Sequence, residues 1–195
     1  MRKQKRNKGK SKLYIQRKGG EIVKIHHSEV LNLDGSVIAI GAFDGVHKGH
    51  QTVIRQMVEQ SKLYDVPSVV YTFNQPPRAY FQGAKILSNK QEKMNKLEKL
   101  EVDHTVIATF NTEYLNRSAE SFIEELAKMN PNQIIVGEDF RFGYKRAGDI
   151  KLLRKHFKVS TISPVCCLNG ERISSTRIRE FITEGKMDEA IPLLA

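Results

Sequence analysis

Apolar and polar positions follow two alternating periods from about residue 36 onward. Short apolar runs rich in β-branched residues are typical of buried strands, and we predict strands at residues 36–41, 67–73, 104–110, 132–137 and 158–165. Between these runs, apolar residues recur every three or four positions. This period predicts helices at residues 48–62, 88–100, 118–129 and 148–157, then one from a Ser cap at Ser174 to a stop at Gly185, and a short terminal helix.

Strands and helices in regular alternation predict an α/β fold, a doubly wound Rossmann-like parallel sheet of about five strands. Parallel strands need crossover connections, and these place helices on both faces of the sheet. Ligands of such sheets bind outside the carboxyl ends of the strands, so we expect the chemistry in the loops after the first, second, fourth and fifth strands. Two finer features are a capping box from Ser88 to Gln91 and a hairpin around Gly19 and Gly20, before the main pattern.

The composition, 39% hydrophobic and 28% charged, is typical of a soluble globular protein. No apolar run approaches the ~18 residues of a membrane span, and the N-terminus lacks a signal peptide's apolar segment, so we expect a cytoplasmic location and no membrane partner. Residues 1–12 hold seven lysines and arginines without an acid, which leaves +3 of the net charge of +10 to the rest of the chain. Such a run is typical of a solvated tail, and beyond this tail we expect no nucleic-acid partner.

Cys166 and Cys167 are the only two cysteines and are adjacent in sequence. Adjacent cysteines rarely close a disulfide because its geometry is strained. We interpret them as small buried residues at a strand end, with a redox or metal-binding role as the alternative.

The first of the expected loops, IGAFDGVHKGH at residues 40–50, leads from a strand into a helix. The N-terminus of a helix attracts anions, and His47 and His50 project to the same side of its first turn. Gly49 between them lets a phosphate approach the backbone. The loop matches neither of the common phosphate-binding fingerprints. Two surface histidines, or a zinc site, are the alternatives.

Two further loops favour anions. VGEDFRFGYKRAGD at residues 136–149 combines Asp139 with two phenylalanines flanked by cations, which suits a flat ring bearing a phosphate. Its alternative is a pair of phenylalanines that close the edge of the core. ERISSTRIRE at residues 171–180 places three hydroxyl groups and two arginines at a helix start, which predicts an anion pocket or an ordinary Ser cap.

Together, the motifs GAFDGVHKGHQ, VGEDFRFG followed by AGD, and ISSTRIRE resemble the adenylyltransferase module of prokaryotic FAD synthetases, the N-terminal part of bifunctional riboflavin kinase/FMN adenylyltransferases. The resemblance runs from about Ile25 to the C-terminus. It implies a nucleotidyltransferase domain over residues 25–195, with residues 1–24 as a basic tail and hairpin appendage. It also implies that AMP is transferred from ATP to FMN, with Mg²⁺ as cofactor, giving FAD and pyrophosphate.

The resemblance also implies residue roles. The H-x-G-H histidines of the family bind ATP phosphates and steady the transition state, and the I-S-S-T-x-x-R residues lie at the nucleotide phosphates. The implied catalytic residues are His47, His50, Ser175, Thr176 and Arg179. Asp139 would contact a phosphate and Phe81 and Phe142 would lie near the flavin. The implied substrate-binding residues are Gly41, Phe43, Asp44, Gly49, Phe81, Asp139 and Phe142, with no residue assigned to a metal. Because the phosphate of FMN is an adequate nucleophile, catalysis needs positioning and charge stabilisation but no general base.

Two departures from the family pattern qualify these expectations. Asn74, Gln75, Pro76 and Pro77 stand where the family usually has Asp or Glu, Pro, His and Pro. The sequence also ends at EAIPLLA, where bifunctional members continue into a riboflavin kinase barrel, so we expect no kinase activity from these residues. Two alternatives remain: a catalytically weakened relative that binds flavin or adenine nucleotide as a carrier or regulator, and a nucleotidyltransferase for another phosphorylated acceptor.

Overall fold

Seven strands form the main sheet of the computed structural model, which describes residues 14–18, 21–27 and 31–194. The basic run at residues 1–12 and the Gly19 and Gly20 turn lie outside the described residues. The order in the sheet is β1-β2-β5-β4-β3-β6-β9, and β1 is antiparallel to β2 while the other neighbours are parallel. The strands are β1 (Tyr14–Lys18), β2 (Glu21–His27), β3 (Ser36–Ile40), β4 (Ser68–Phe73), β5 (His104–Ala108), β6 (Pro131–Gly137) and β9 (Val159–Ile162), and β7 (Arg141–Phe142) and β8 (Gly148–Asp149) form a separate small hairpin.

Helices cover both faces of the sheet. In the described part of the chain they are α1 (Lys48–Tyr64), α2 (Pro77–Gln82), α3 (Lys90–Lys99), α4 (Thr112–Leu115), α5 (Ala119–Lys128), α6 (Ile150–Arg154), α7 (Ser175–Thr183) and α8 (Met187–Leu194), with one 3₁₀ turn at Tyr144–Arg146. The predicted α/β doubly wound sheet is confirmed, and each predicted strand and helix is found.

Alternate residues of the strands face opposite layers, as the two-residue period of a strand requires. Val37 and Ala39 of β3 pack with α1 and α3 on one face. Ile38 and Ile40 of the same strand pack with α5 and α6 on the other face. Because both faces are covered, the central strands are continuously apolar, which explains why the sequence pattern identified them.

The sheet has two strands more than the predicted five. β2 pairs with β5, so it covers an edge that would otherwise be free, and it crosses the predicted domain boundary between residues 24 and 25. The prediction missed this pairing because β2, EIVKIHH, has only three apolar residues among seven and no helical pattern leads from it into the next strand. The division of the chain at residue 24 stays a prediction.

Two local predictions were wrong. The capping box of α3 joins Asn89 and Glu92, one residue later than predicted, and Ser88 instead accepts a hydrogen bond from the backbone of Gly45. Neither cysteine is buried: Cys166 is exposed and Cys167 is half-buried, because both lie in a surface hairpin and not in a strand of the sheet. Short-range sequence spacing could not separate two overlapping caps, nor could it place a surface hairpin.

The position of the cap can be tested by mutation. We expect Asn89→Ala to lower the free energy of unfolding by about 1 kcal/mol, because α3 loses the side-chain oxygen that accepts from the Glu92 backbone. The neighbouring change Gln91→Ala should cost less than about 0.5 kcal/mol, since Gln91 is exposed and does not cap. Urea denaturation measures both. A larger loss in Gln91→Ala would support the originally predicted box.

Candidate active site

A cleft of about 1100 Å³ opens at the carboxyl ends of the parallel strands. It is lined by the loops after β3, β4, β6 and β9, as predicted, and also by the loop after β5, which the sequence analysis had not included. A second cavity of about 350 Å³ adjoins it at the start of α7 and shares Asp139, Arg172 and Ser175 with it. The first cavity contains Gly41, Phe43, His47, Gly49, His50, Phe81, Asp139, Phe142 and Ser175 from the sequence-based set, and the second adds Asp44, Thr176 and Arg179.

The position of the cleft follows from the strand order. The chain runs outward from β3 through β4 to β5 and then returns to the other side of β3 with β6. The loops that follow β3 and β6 therefore lead away from each other at the carboxyl ends of these neighbouring strands. Doubly wound sheets bind ligands at such a switch point. The structure thus brings the histidine loop and the Asp139 loop to opposite sides of one opening.

The loop between β3 and α1 has an unusual backbone. Phe43, Gly45 and Val46 have φ values of 46°, 79° and 44°, in the left-handed region that non-glycine residues rarely adopt. Phe43 and Val46 are fully covered by protein, so packing of their side chains holds this conformation. The Phe43 ring also lies under Gly41, where an added Cβ would come within 3.0 Å of the ring.

Asp44 in this loop is 2% exposed and accepts bonds from two distant segments. One carboxylate oxygen accepts from the backbone N–H of Leu87 at 3.0 Å, and the other forms an ion pair with Arg179 of α7. The backbone carbonyl of Asp44 accepts from the Ser175 hydroxyl at 3.1 Å. Arg179, which we had placed at a phosphate, is therefore already paired with Asp44, and this pair joins the starts of α1 and α7.

Two lysines of α3 donate hydrogen bonds to backbone carbonyls of the loop between β3 and α1 and to the end of β4. The Lys93 ammonium donates to the carbonyls of Ala42 at 2.9 Å and Phe73 at 3.3 Å, and Lys96 donates to the carbonyl of Gly45 at 2.7 Å. No described residue of α3 lines either cavity, so these carbonyls point away from the cleft. Burial lowers the pKa of Lys93 to about 8. The sequence analysis missed Lys93, although it lies beside Met94 on the apolar stripe of its helix.

His47 caps α1, since its Nδ1 accepts a hydrogen bond from the His50 backbone at 3.3 Å. The two imidazoles are stacked, with centroids 3.6 Å apart and an interplanar angle of 18°. Burial, and then the charge of Arg172, lowers the pKa of His47 to about 4, and burial together with His47 lowers the pKa of His50 well below its ordinary value. Both rings are neutral at pH 7. Because Nδ1 of His47 accepts, its proton is on Nε2, and Nδ1 of His50 is buried without a protein partner.

Two arginines that the sequence analysis did not select, Arg78 and Arg172, also line the cleft. The guanidinium of Arg78 donates to the Thr176 hydroxyl, and Arg172 forms an ion pair with Asp139 at 3.0 Å. Arg172 lies in the quoted ERISST segment, so the motif contained it, whereas Arg78 directly follows the Pro76 and Pro77 pair. Ser174 is the N-cap of α7, which confirms the Ser-cap interpretation for that residue.

Aromatic side chains form two walls of the cleft. Phe110 is the centre of the first wall and lies 5.4 to 6.1 Å from the rings of Phe73, Tyr80, Phe81 and Tyr114. Phe81 is 64% exposed, so one face of this wall is free.

The second wall is Phe142, which is only 7% exposed. Its ring packs on Phe122 and Phe140, with centroids 5.3 and 5.6 Å away. A Cβ on Gly148 would come within 2.6 Å of this ring, so the small β7–β8 hairpin requires a glycine there. Phe142 therefore belongs to the core and also lines the cleft.

The acidic groups of the cleft are already engaged. Asp44 and Asp139 each pair with an arginine, and Glu138 accepts from the Ser163 hydroxyl at 2.6 Å. Within the described ranges, no three His, Cys, Asp or Glu residues are grouped so that they could hold a metal ion. In the same part of the chain, no helix has both the length and the apolar character of a membrane span.

Comparisons with known proteins identify the family of the chain. The family model described as FAD synthetase matches residues 30–177. A protein of Geobacillus thermodenitrificans, provisionally named a bifunctional riboflavin kinase/FMN adenylyltransferase, is 50% identical over 173 residues, which are 88% of this chain and 97% of that protein.

Longer relatives match over part of their length. The bifunctional riboflavin kinase/FMN adenylyltransferases of Haemophilus influenzae and Escherichia coli K12 are 33% and 32% identical over 89% and 87% of this chain. The chain spans 59% and 57% of their length. A crystal structure described as a macrolide-efflux protein of Streptococcus pneumoniae has a TM-score of 0.75 and 31% identity, covering 85% of this chain and 58% of that one.

The low pKa of His47 makes the fold sensitive to acid. In the unfolded chain a histidine takes up a proton near pH 6.5, whereas His47 in the fold does so only near pH 4. As the pH falls from about 6.5 to 4, the unfolded state binds the extra proton, so stability falls, by about 3 kcal/mol from this group.

Urea denaturation between pH 7 and 4 measures this loss. We expect His47→Gln to lose less stability on acidification than the wild type, while the exposed His156→Gln behaves like the wild type. The same pH slope in all three proteins would contradict the assignment.

Proposed function

Because the chain belongs to the FAD synthetase family, we propose that it transfers the AMP group of ATP to the phosphate of FMN, giving FAD and pyrophosphate. An oxygen of the FMN phosphate bonds to the α-phosphorus of ATP, and the bond from that phosphorus to the pyrophosphate oxygen breaks. The observation that carries the proposal is one cleft in which two anion-binding helix starts lie beside an aromatic wall.

The ATP phosphates would bind between the starts of α1 and α7. Free backbone N–H groups and the helix dipole attract anions at both starts, and Gly49 and Ser175 bring backbone and hydroxyl groups to the cleft. Arg78 and Arg172 add positive charge on the same side. In the absence of ligand both guanidinium groups bind protein oxygens, so they can exchange these weak contacts for phosphate oxygens.

The stacked histidines explain how charge is stabilised late in the reaction. Two imidazolium ions at 3.6 Å would repel each other strongly, so at most one ring carries a proton charge. A phosphate chain next to the pair favours the charged form and raises its pKa. The pair therefore donates hydrogen bonds to bound ATP, and these bonds strengthen as negative charge develops on the leaving pyrophosphate, which stabilises the transition state more than the ground state.

The flavin would lie against the exposed face of Phe81, in the wall centred on Phe110. Aromatic rings stack on a flat heterocycle without requiring a charge. Asp139 and Arg172 lie where the two cavities join, between the aromatic wall and the helix starts. In this proposal they lie near the two phosphates that react and contribute to the rate by positioning them.

Mg²⁺ would arrive with ATP. Magnesium is usually held by phosphate oxygens and water with few protein ligands, and the carboxylates of this cleft are engaged by arginines. Bound to the phosphates, the ion supplies charge neutralisation. The cytoplasmic location expected from the sequence stays a prediction, and the kinase activity in the relatives' names is not carried to this chain.

The proposal is tested by incubating the purified protein with FMN, ATP and Mg²⁺ and quantifying FAD and pyrophosphate. We expect both products in equal amounts. His50→Ala should reduce turnover by about 10² to 10³, the usual effect of removing one transition-state donor. His47→Asn should do the same while keeping a side chain that can cap α1, so that its loss reports chemistry and not folding.

The exposed His156→Ala is the matched control and should retain full turnover. Bound FMN or ATP without FAD formation would contradict the proposal in favour of a carrier or regulator. Adenylyl transfer to a different phosphate ester, without binding of FMN, would indicate another acceptor.

A further inference from the structure

Two side chains of the segment that departs from the family pattern, Asn74 and Gln75, hydrogen-bond to the backbone of one residue, Phe110. Oδ1 of Asn74 accepts from the backbone N–H of Phe110 at 2.9 Å, and Nε2 of Gln75 donates to the carbonyl of Phe110 at 3.0 Å. Asn74 is itself held, since its backbone N–H donates to Ala108 at 3.0 Å and its Oδ1 also accepts from the backbone of Gln75 at 2.9 Å. Both main-chain polar groups of Phe110 are thus held by these two side chains.

Phe110 lies in a short connection without regular structure, between the end of β5 at Ala108 and the start of α4 at Thr112. Its ring is 6% exposed and contacts rings from β4, α2 and α4. These neighbours form two pairs, Phe73 with Tyr114 and Tyr80 with Phe81, and Phe110 contacts both pairs. Phe110 therefore joins the two pairs, and the geometry of the wall depends on where its backbone is held. The side chains of Asn74 and Gln75 line neither cavity, and beyond their own segment they hydrogen-bond to Phe110, which lines the cleft.

We propose that Asn74 and Gln75 are positioning residues for the flavin ring: they fix Phe110 and thereby set the affinity for FMN, with little effect on ATP. This inference rests on the proposed function for the identity of the ring. The ATP side of the cleft is held by separate contacts, those of Asp44 with Arg179 and of Lys93 with Ala42. Because neither side chain takes part in these contacts, we expect a change at Asn74 or Gln75 to affect the FMN subsite more than the ATP subsite.

Asn74 and Gln75 make opposite kinds of hydrogen bond to Phe110. Asn74 acts only as an acceptor towards Phe110, and a carboxylate accepts from an N–H at least as well, so Asn74→Asp keeps the contact. Gln75 acts as a donor, and Gln75→Glu places a carboxylate oxygen against a carbonyl oxygen. Two changes from amide to acid, one residue apart, should thus have opposite outcomes.

The test measures KM for FMN, KM for ATP and kcat, and separately the Kd of FMN from quenching of its fluorescence without ATP. We expect Gln75→Glu to raise KM and Kd for FMN about tenfold, with KM for ATP changed less than about twofold. Asn74→Asp should stay within about threefold of the wild type, as one retained hydrogen bond implies. Gln91→Glu is the matched control, because Gln91 donates to Asn95 on exposed α3 and should change none of these constants.

Two further variants separate positioning from general destabilisation. Gln75→Met removes the donor without adding charge and should raise Kd for FMN in the same direction. In a Phe110→Leu background, Gln75→Glu should add less than about twofold, since residues that act through one another are not additive. The proposal is overturned if Gln75→Glu leaves the FMN constants unchanged, or if the FMN and ATP constants rise together with a lower melting temperature.

Failure of this inference and failure of the proposed function are distinguishable. If the wild type binds FMN but forms no FAD, the adenylyl-transfer proposal fails, and the fluorescence titrations still decide the role of the two residues. If FAD forms and the FMN constants of Gln75→Glu equal those of the wild type, the adenylyl-transfer proposal stands and the positioning proposal fails. If the wild type neither binds FMN nor forms FAD, both fail.

Discussion

The buried carboxylate of Asp44 connects the two helix starts on which the candidate site depends. A charge that is 2% exposed is costly unless it is paired and hydrogen-bonded, and Asp44 has both Arg179 and the backbone of Leu87 as partners. Its backbone carbonyl adds the contact with Ser175. The relative position of α1 and α7 is therefore fixed at the place where a phosphate chain would lie, before any ligand binds.

The same loop is contacted by a second buried charge, Lys93 of α3. Lys93 turns the loop's carbonyls away from the cleft, and the N–H groups at the start of α1 are left for an anion. Its pKa of about 8 means that burial disfavours the charged form, so burial of this ammonium group costs stability at neutral pH. A positively charged support behind an anion site also adds to the local field. The neutral state of His50, which the charge of Lys93 favours, follows from the same arrangement.

How much of this structure can be predicted from the sequence depends on how far apart in the sequence the contacting residues lie. The central strands and helices are visible because each repeats an apolar period locally, and His47 and His50 are visible because both lie on one helical turn. Lys93 and Phe110 acquire their roles from partners far away in sequence, and no local pattern contains those partners. Arg179 is predicted to bind a phosphate because the motif gives its residue type. The motif does not show that Arg179 forms an ion pair with Asp44.

The connection between the two helix starts is tested most directly by a double-mutant cycle on Asp44→Asn and Arg179→Met, with the free energy of unfolding measured in urea and FAD formation measured in parallel. Each single change leaves one buried charge unpaired and should cost about 3 kcal/mol. We expect the double variant to be less destabilised than the sum of the single variants by more than about 1 kcal/mol, with turnover low in all three. Additive costs within about 0.5 kcal/mol would contradict the account, because they would show that the two residues act independently.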